Sequence, residues 1–262
     1  MSGVLALHFP SVRRLFDWPG LAFPGTPFEI NKTVLLLWIT IAIVAGVFLT
    51  AARRRQLVPT GIRNVVEAAL EFVERDIARE GMGPDGDRWV PFLTTVFCYV
   101  LVLNLWGIVP LVQFPPTSRI AIPLYLALQT WVIFIAVGIK TQGPVQYFKH
   151  ALFPPGVPKP LYVLVAPIEF LSVFVVQPFS LAIRLFANMM AGHLLLVAFF
   201  VISAALWRRS AAVVILPLPV ATAVALTAFE LLVGVLQAYI FTILTAVYIG
   251  QSVHPEAVED IG

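Results

Sequence analysis

Arg184 stands in the stretch SLAIRLFANMMAGH (180–193), within a run from Leu161 to Leu206 that is otherwise almost wholly apolar. No acidic residue lies within a helical turn of it. A lone guanidinium in a lipid-facing segment costs several kcal/mol on most scales. A cation kept at that cost needs a reason, such as an anionic substrate or a carboxylate brought by a partner helix. With successive residues about 100° apart on a helix and Arg184 at zero, Gln177 falls at about +20°, Ser180 at about −40°, Asn188 at about +40° and Glu169 at about −60°. These five make one polar stripe. His193 falls at about 180° and faces the other way. In the last apolar stretch Glu230 and Gln237 share a face, and Tyr248 continues it.

Ionisable residues in a membrane segment point first to an ion or proton pathway, which applies to Arg184, Glu230 and His193. Hydrogen bonding between helices is the competing reading for Gln177, Asn188 and Gln237, and the expected role of Ser180, Thr227 and Tyr248. An ion pair between Arg184 and Glu230 would account for both charges. Against it, His193 also needs a partner, and an imidazole beside a carboxylate makes a proton relay. Ala182, Ala187, Ala191 and Gly192 border the stripe, and Gly234 and Ala238 repeat the spacing of small residues. Such residues let another helix come close. A basic face of this kind suits a partner helix bearing a carboxylate that approaches and leaves.

Membrane helices must hold these groups. The 262 residues are 60% hydrophobic and 12% charged, with mean hydropathy +0.92; a soluble domain carries about 25% charged residues. Lipid admits only helices and closed barrels, and these apolar runs are too long and uniform for barrel strands of about ten alternating residues. The fold class expected is an all-α, polytopic membrane protein in a single domain, with about five transmembrane helices, the last two long, plus an amphipathic surface helix.

Residues 1–32, with Pro10, Pro19, Pro24 and Pro27, read as an irregular interfacial segment. The first span, 33–52, ends against Arg53, Arg54 and Arg55, which places that end in the cytoplasm and the N-terminus outside. Residues 58–80 read as an amphipathic helix on the cytoplasmic side, with Val65, Ala69, Phe72 and Ile77 on its apolar face. After the loop GMGPDGDR come a second span at 89–110, a short outer loop with Pro115, Pro116 and Arg119, and a third span at 123–139. Lys140, Lys149, His150 and Lys159 agree with a cytoplasmic return.

Two long apolar stretches remain, 161–206 and 211–252, divided by Arg208 and Arg209. As one helix the first would be roughly 69 Å long, against a hydrocarbon core of about 30 Å. Each stretch is therefore two spans or one strongly inclined helix, with Pro167 and Pro178 as places for a kink. Counting charges favours two spans, because an inclined helix leaves Arg208 and Arg209 outside. The C-terminus is cytoplasmic in either case.

Other function classes find little here. The net charge of +3 reads as topology information and gives no reason to expect nucleic acid as a partner. Cys98 is the single cysteine and has no internal disulfide partner. No nucleophile triad, zinc spacing, P-loop or dinucleotide fingerprint occurs, so neither a cofactor nor a metal is expected. A secondary transporter with an anionic substrate on Arg184 would show inverted repeats and broken half-helices, and no internal symmetry is evident. An intramembrane enzyme using His193 and Glu230 as metal ligands would want a third ligand nearby.

The stretch SLAIRLFANMMAG (180–192), together with FELLVGVLQAYIFTILTAVYI (229–249), closely resembles subunit a of the membrane sector of F-type ATP synthases; weaker similarity begins at EINKTV (29–34). The resemblance implies that Arg184 is the arginine facing a rotating ring of c subunits, keeping the passing carboxylate ionised and preventing a proton short circuit between two half-channels. Asn188 and Gln237 match polar residues lining that neighbourhood. His193 and Glu230 match an inlet pair whose His and Glu are exchanged relative to many members. Glu169 resembles the outlet acid, with an offset from Arg184 that varies by a residue, and Ser180 lies on the same side. The family's fold implies that the last two stretches are single inclined helices forming a hairpin. Its implied partners are the c-ring, b-type peripheral stalk subunits, the remaining synthase subunits and membrane lipid. It implies a multi-pass protein of a bacterial plasma membrane, with no nucleotide site and no bond chemistry of its own.

Overall fold

The computed structural model describes residues 29–53, 61–110, 112–153, 158–207 and 216–253. Residues 1–28 of the expected interfacial segment, Arg54 and Arg55, residues 58–60, Arg208 and Arg209, and residues 211–215 lie outside them. In chain order the helices are α1 (Lys32–Arg53), α2 (Ile62–Val73), α3 (Arg79–Met82), α4 (Val90–Leu105), α5 (Ala121–Gln142), α6 (Pro144–Leu152), α7 (Tyr162–Leu171), α8 (Gln177–Trp207) and α9 (Pro217–Val253). Five helical stretches are long and apolar enough to cross a membrane: Lys32–Ala52, Ile62–Leu105, Ala121–Gln142, Tyr162–Trp207 and Pro217–Val253. The fold is that of an all-α polytopic membrane protein.

The two long stretches are each one helix, not two spans. Tyr162–Trp207 runs for 46 residues and Pro217–Val253 for 37, or roughly 69 and 55 Å. Both exceed the about 30 Å hydrocarbon core. Between α7 and α8 the chain makes a wide π turn at Ser172–Val176, with the Gln177 N–H donating to the Ser172 carbonyl. Pro178 follows at once; lacking an N–H and crowding the carbonyl one turn back, proline disfavours a regular α-turn there. α8 and α9 pack along each other, with Gly192 against Glu230.

The amphipathic stretch is helical, but its buried face differs from the one expected. Val66, Val73, Ile77 and Ala78 are buried, whereas Val65 and Phe72 are exposed. A second π turn at Glu74–Ala78 adds a residue to the turn and brings Ile77 and Ala78 inward together. The helix entering the second span also stops at Leu105, short of the expected position 110. Residues beyond it fold back as a loop.

The core lies among α4, α5, α8 and α9, where Leu93, Val100, Phe134, Leu185, Phe241 and Ile249 meet. Three buried threonines are satisfied within their own helices: Thr94, Thr242 and Thr245 donate to the carbonyl one turn back at 2.7–2.8 Å. Thr227 does the same to Ala223 at 2.9 Å, so its expected interhelical bond is replaced by a local one. At the far end of α9, Gln142 Nε2 donates to the Ser252 carbonyl at 2.7 Å while its Oε1 meets His150 Nδ1 at 2.9 Å.

Candidate functional site

α8 carries two chemically different faces. Leu181, Leu185 and Met189 are buried against the core, while Arg184, Ala187, Asn188 and Ala191 are exposed along one line. No hydrogen bond or ion pair joins Arg184 to any described residue. It lies close enough to Tyr248 on α9 to act on that hydroxyl electrostatically. Ser180 and Gln177 are half-buried on the same side. The π turn shifts Glu169 by one residue's rotation, from about −60° to about +40° relative to Arg184. Glu169 thus remains on the stripe, half-buried and beside the angular position of Asn188.

His193, Glu230 and Gln237 are 7%, 5% and 5% exposed and sit on the inner side. Among the described residues no ion pair joins Glu230 to Arg184. Both carboxylate oxygens of Glu230 are buried without a hydrogen-bond partner. They lie over two glycines: a Cβ would stand 3.6 Å from Glu230 Oε1 at Gly192 and 3.3 Å from it at Gly107. Glycine at both places leaves room beside a carboxylate that has nothing else to bond. His193 and Glu230 share this region without a direct hydrogen bond.

The expected outer loop turns out to be part of the site. Residues 112–119 fold in, with Pro116–Ser118 against α8, burying Phe114, Pro116, Thr117 and Ser118. Asn104, 2% exposed, donates through Nδ2 to the Gly234 carbonyl at 3.0 Å and accepts from Thr117 Oγ1 at 2.9 Å. It ties α4, α9 and the loop together next to Glu230. Sequence reading passed over Asn104, although a single amide in an apolar run is itself a signal.

Interhelical hydrogen bonds in membranes average about 0.6 kcal/mol each and reach about 1.7. Asn104→Leu is therefore expected to cost about 1–2 kcal/mol, read as a lower melting temperature of the purified assembly in detergent. An unchanged melting temperature would show that neither bond contributes.

Comparisons with known proteins bear on the family. A family model described as "ATP synthase A chain" matches residues 34–250. "ATP synthase subunit a" of Frankia alni is 44% identical over 89% of this chain and 81% of the relative. The protein of that name from Rhodococcus erythropolis is 41% identical over 95% of this chain and 91% of its own. That of Methylobacterium sp. is 38% identical over 86% and 88%. With five membrane-crossing helices and these matches along most of its length, the chain belongs to the ATP synthase subunit a family.

Proposed function

We propose that this chain is the proton-translocating stator subunit of an F-type ATP synthase membrane sector, coupling proton flow down its gradient to ATP synthesis. The observation that carries the reading is the pair of faces on α8. An exposed arginine bonded to no described residue stands opposite a buried histidine, and α9 supplies a buried carboxylate. The exposed face meets the rotating c-ring, and Ala187 and Ala191 allow a ring helix to come close.

A proton enters from outside through the His193 and Glu230 region, where Gln237 adds polar lining, and neutralises a ring carboxylate. The neutral site moves through lipid, where the ionised form would be prohibitively costly. After nearly a full turn it reaches the outlet near Glu169 and Ser180 and releases the proton to the lower proton activity inside. Arg184, with Asn188 one turn away, attracts the resulting carboxylate and bars the direct route between the half-channels. Each charge crossing 100 mV supplies about 2.3 kcal/mol, so several must cross for each ATP. The N-terminus is outside and the C-terminus cytoplasmic, in a bacterial plasma membrane. The b-type stalk subunits hold the chain still against the ring's torque.

Co-purification with a c-ring and the soluble ATPase head tests the assembly. His193→Ala and Glu230→Gln test the inlet: each is expected to slow ATP-driven proton pumping by about a hundredfold or more. Wild-type rates in both single variants would remove the two residues from the pathway.

A further inference from the structure

Lys32 opens α1, and its position is electrostatically awkward, since a cation in the first turn opposes the helix dipole. Contacts of its side chain with the loop after α4 offer a reason. The ammonium donates to the Val112 carbonyl at 2.8 Å and stands 5.9 Å from the centroid of the Phe114 ring. The same ring meets His193 edge to face, with centroids 6.5 Å apart and planes at 89°. Phe114 is 1% exposed, so one buried ring is shared by a fixed cation from α1 and the imidazole of α8.

The backbone between these contacts is strained. Gln113, between Val112 and Phe114, has φ of +40°, unusual for a residue other than glycine. Such a conformation persists where its surroundings hold it. Gln113 N–H donates to the Val109 carbonyl and Phe114 N–H to that of Trp106. From α1, Lys32 holds Val112, and Thr40 Oγ1 accepts from Trp106 Nε1 at 2.8 Å. A lysine serving only to anchor the helix end would extend towards the headgroups; this one is committed to the loop.

We infer that Lys32 is a positioning residue for proton transfer at His193: through Val112 and Phe114 it fixes the loop at 112–119 and orients the imidazole. The inference rests on the proposed role of His193 in the proton inlet. The first span thereby contributes to the inlet although α1 itself lies at the edge of the bundle.

The test compares ATP-driven proton pumping by the reconstituted complex, per assembled complex, for Lys32→Met and Lys32→Arg, each made alone and in combination with His193→Ala. Lys32→Met is expected to slow pumping about tenfold with His193 present and by less than about twofold without it, because two residues acting as one unit are not additive. Lys32→Arg, which keeps the cation and its donors, is expected to restore more than about half of the rate. Wild-type pumping by Lys32→Met, or an equal loss in both backgrounds, overturns the inference and leaves the inlet reading standing. Full pumping by His193→Ala alone overturns the inference and removes His193, though not Glu230, from the inlet. If Lys32→Met does not assemble, Phe114→Leu removes the shared ring and carries the same comparison. If the His193→Ala background pumps too slowly to resolve, rescue by arginine but not by methionine supports the inference, and failure of arginine to rescue overturns it.

Discussion

Replacing Arg184 with alanine is expected to abolish proton-coupled ATP synthesis while leaving the subunit folded. The side chain is exposed and bonded to no described residue, so its loss opens no cavity and strands no buried partner. Removing a charge from an apolar face relieves a cost of about 2.5–3.5 kcal/mol on insertion scales, and assembly should not suffer. The loss falls on the passing carboxylate. Without a facing cation in a low-dielectric setting, its ionised form loses the interaction that draws it from lipid. Deleting one preorganised electrostatic partner commonly costs about 10²–10³-fold in rate.

Lysine is a poor substitute, because an ammonium gives up its proton far more readily than a guanidinium when desolvated. Synthesis driven by an imposed gradient in vesicles, and passive leak after the ATPase head is stripped, measure the two roles separately. Normal coupled synthesis by Arg184→Ala would sink the proposed function.

Gly86→Ala is expected to remove most of the subunit from the membrane. A Cβ at Gly86 would stand 2.5 Å from the Ala78 carbonyl oxygen and 2.7 Å from its carbon. Both are backbone atoms of a fully buried residue, so no side chain can swing aside. Gly250 presents a second case, with a Cβ 2.8 Å from the Gly81 carbonyl oxygen. These contacts lock the α3 region against the turn at Gly83–Trp89 and against the end of α9. Overpacking of this kind costs about 1–3 kcal/mol, and more where backbone must move, and a loss of about 1–2 kcal/mol already changes cellular abundance several-fold.

Gly46→Ala is the matched control. Nothing lies within 4 Å of its added Cβ, and alanine favours a helix interior by about 0.5–1 kcal/mol. Immunoblots of membranes at equal expression should show Gly86→Ala depleted and Gly46→Ala at the wild-type level. Equal amounts of both would refute the close packing described here.

Helical periodicity alone placed Arg184 and Asn188 on one face and His193 on the other, and the structure keeps them apart in that way. The count survived because Gln177 to Trp207 is unbroken α-helix. It was less reliable across π turns. At Glu74–Ala78 the added residue buries the adjacent Ile77 and Ala78 together, and at Ser172–Val176 it rotated Glu169 relative to Arg184. Charge counting failed for the long stretches. It weighs residues at helix ends and carries no information on whether the backbone ladder between them is continuous.

Composition and apolar run length were enough to determine a membrane-spanning helical protein, since lipid leaves a backbone no other open form. They also determined which residues are chemically out of place: Arg184, His193, Glu230, Glu169 and Gln237. The tertiary structure alone decided what surrounds them. It put Gly107 and Gly192 beside the Glu230 carboxylate, brought Asn104 and Thr117 into one hydrogen-bonded set, and set Lys32 and His193 against one buried ring. Periodicity describes the geometry of a single helix, where each residue's direction follows from its neighbours. Contacts among α1, the 112–119 loop, α8 and α9 depend on how that loop turns back, and no repeat in the sequence encodes its path.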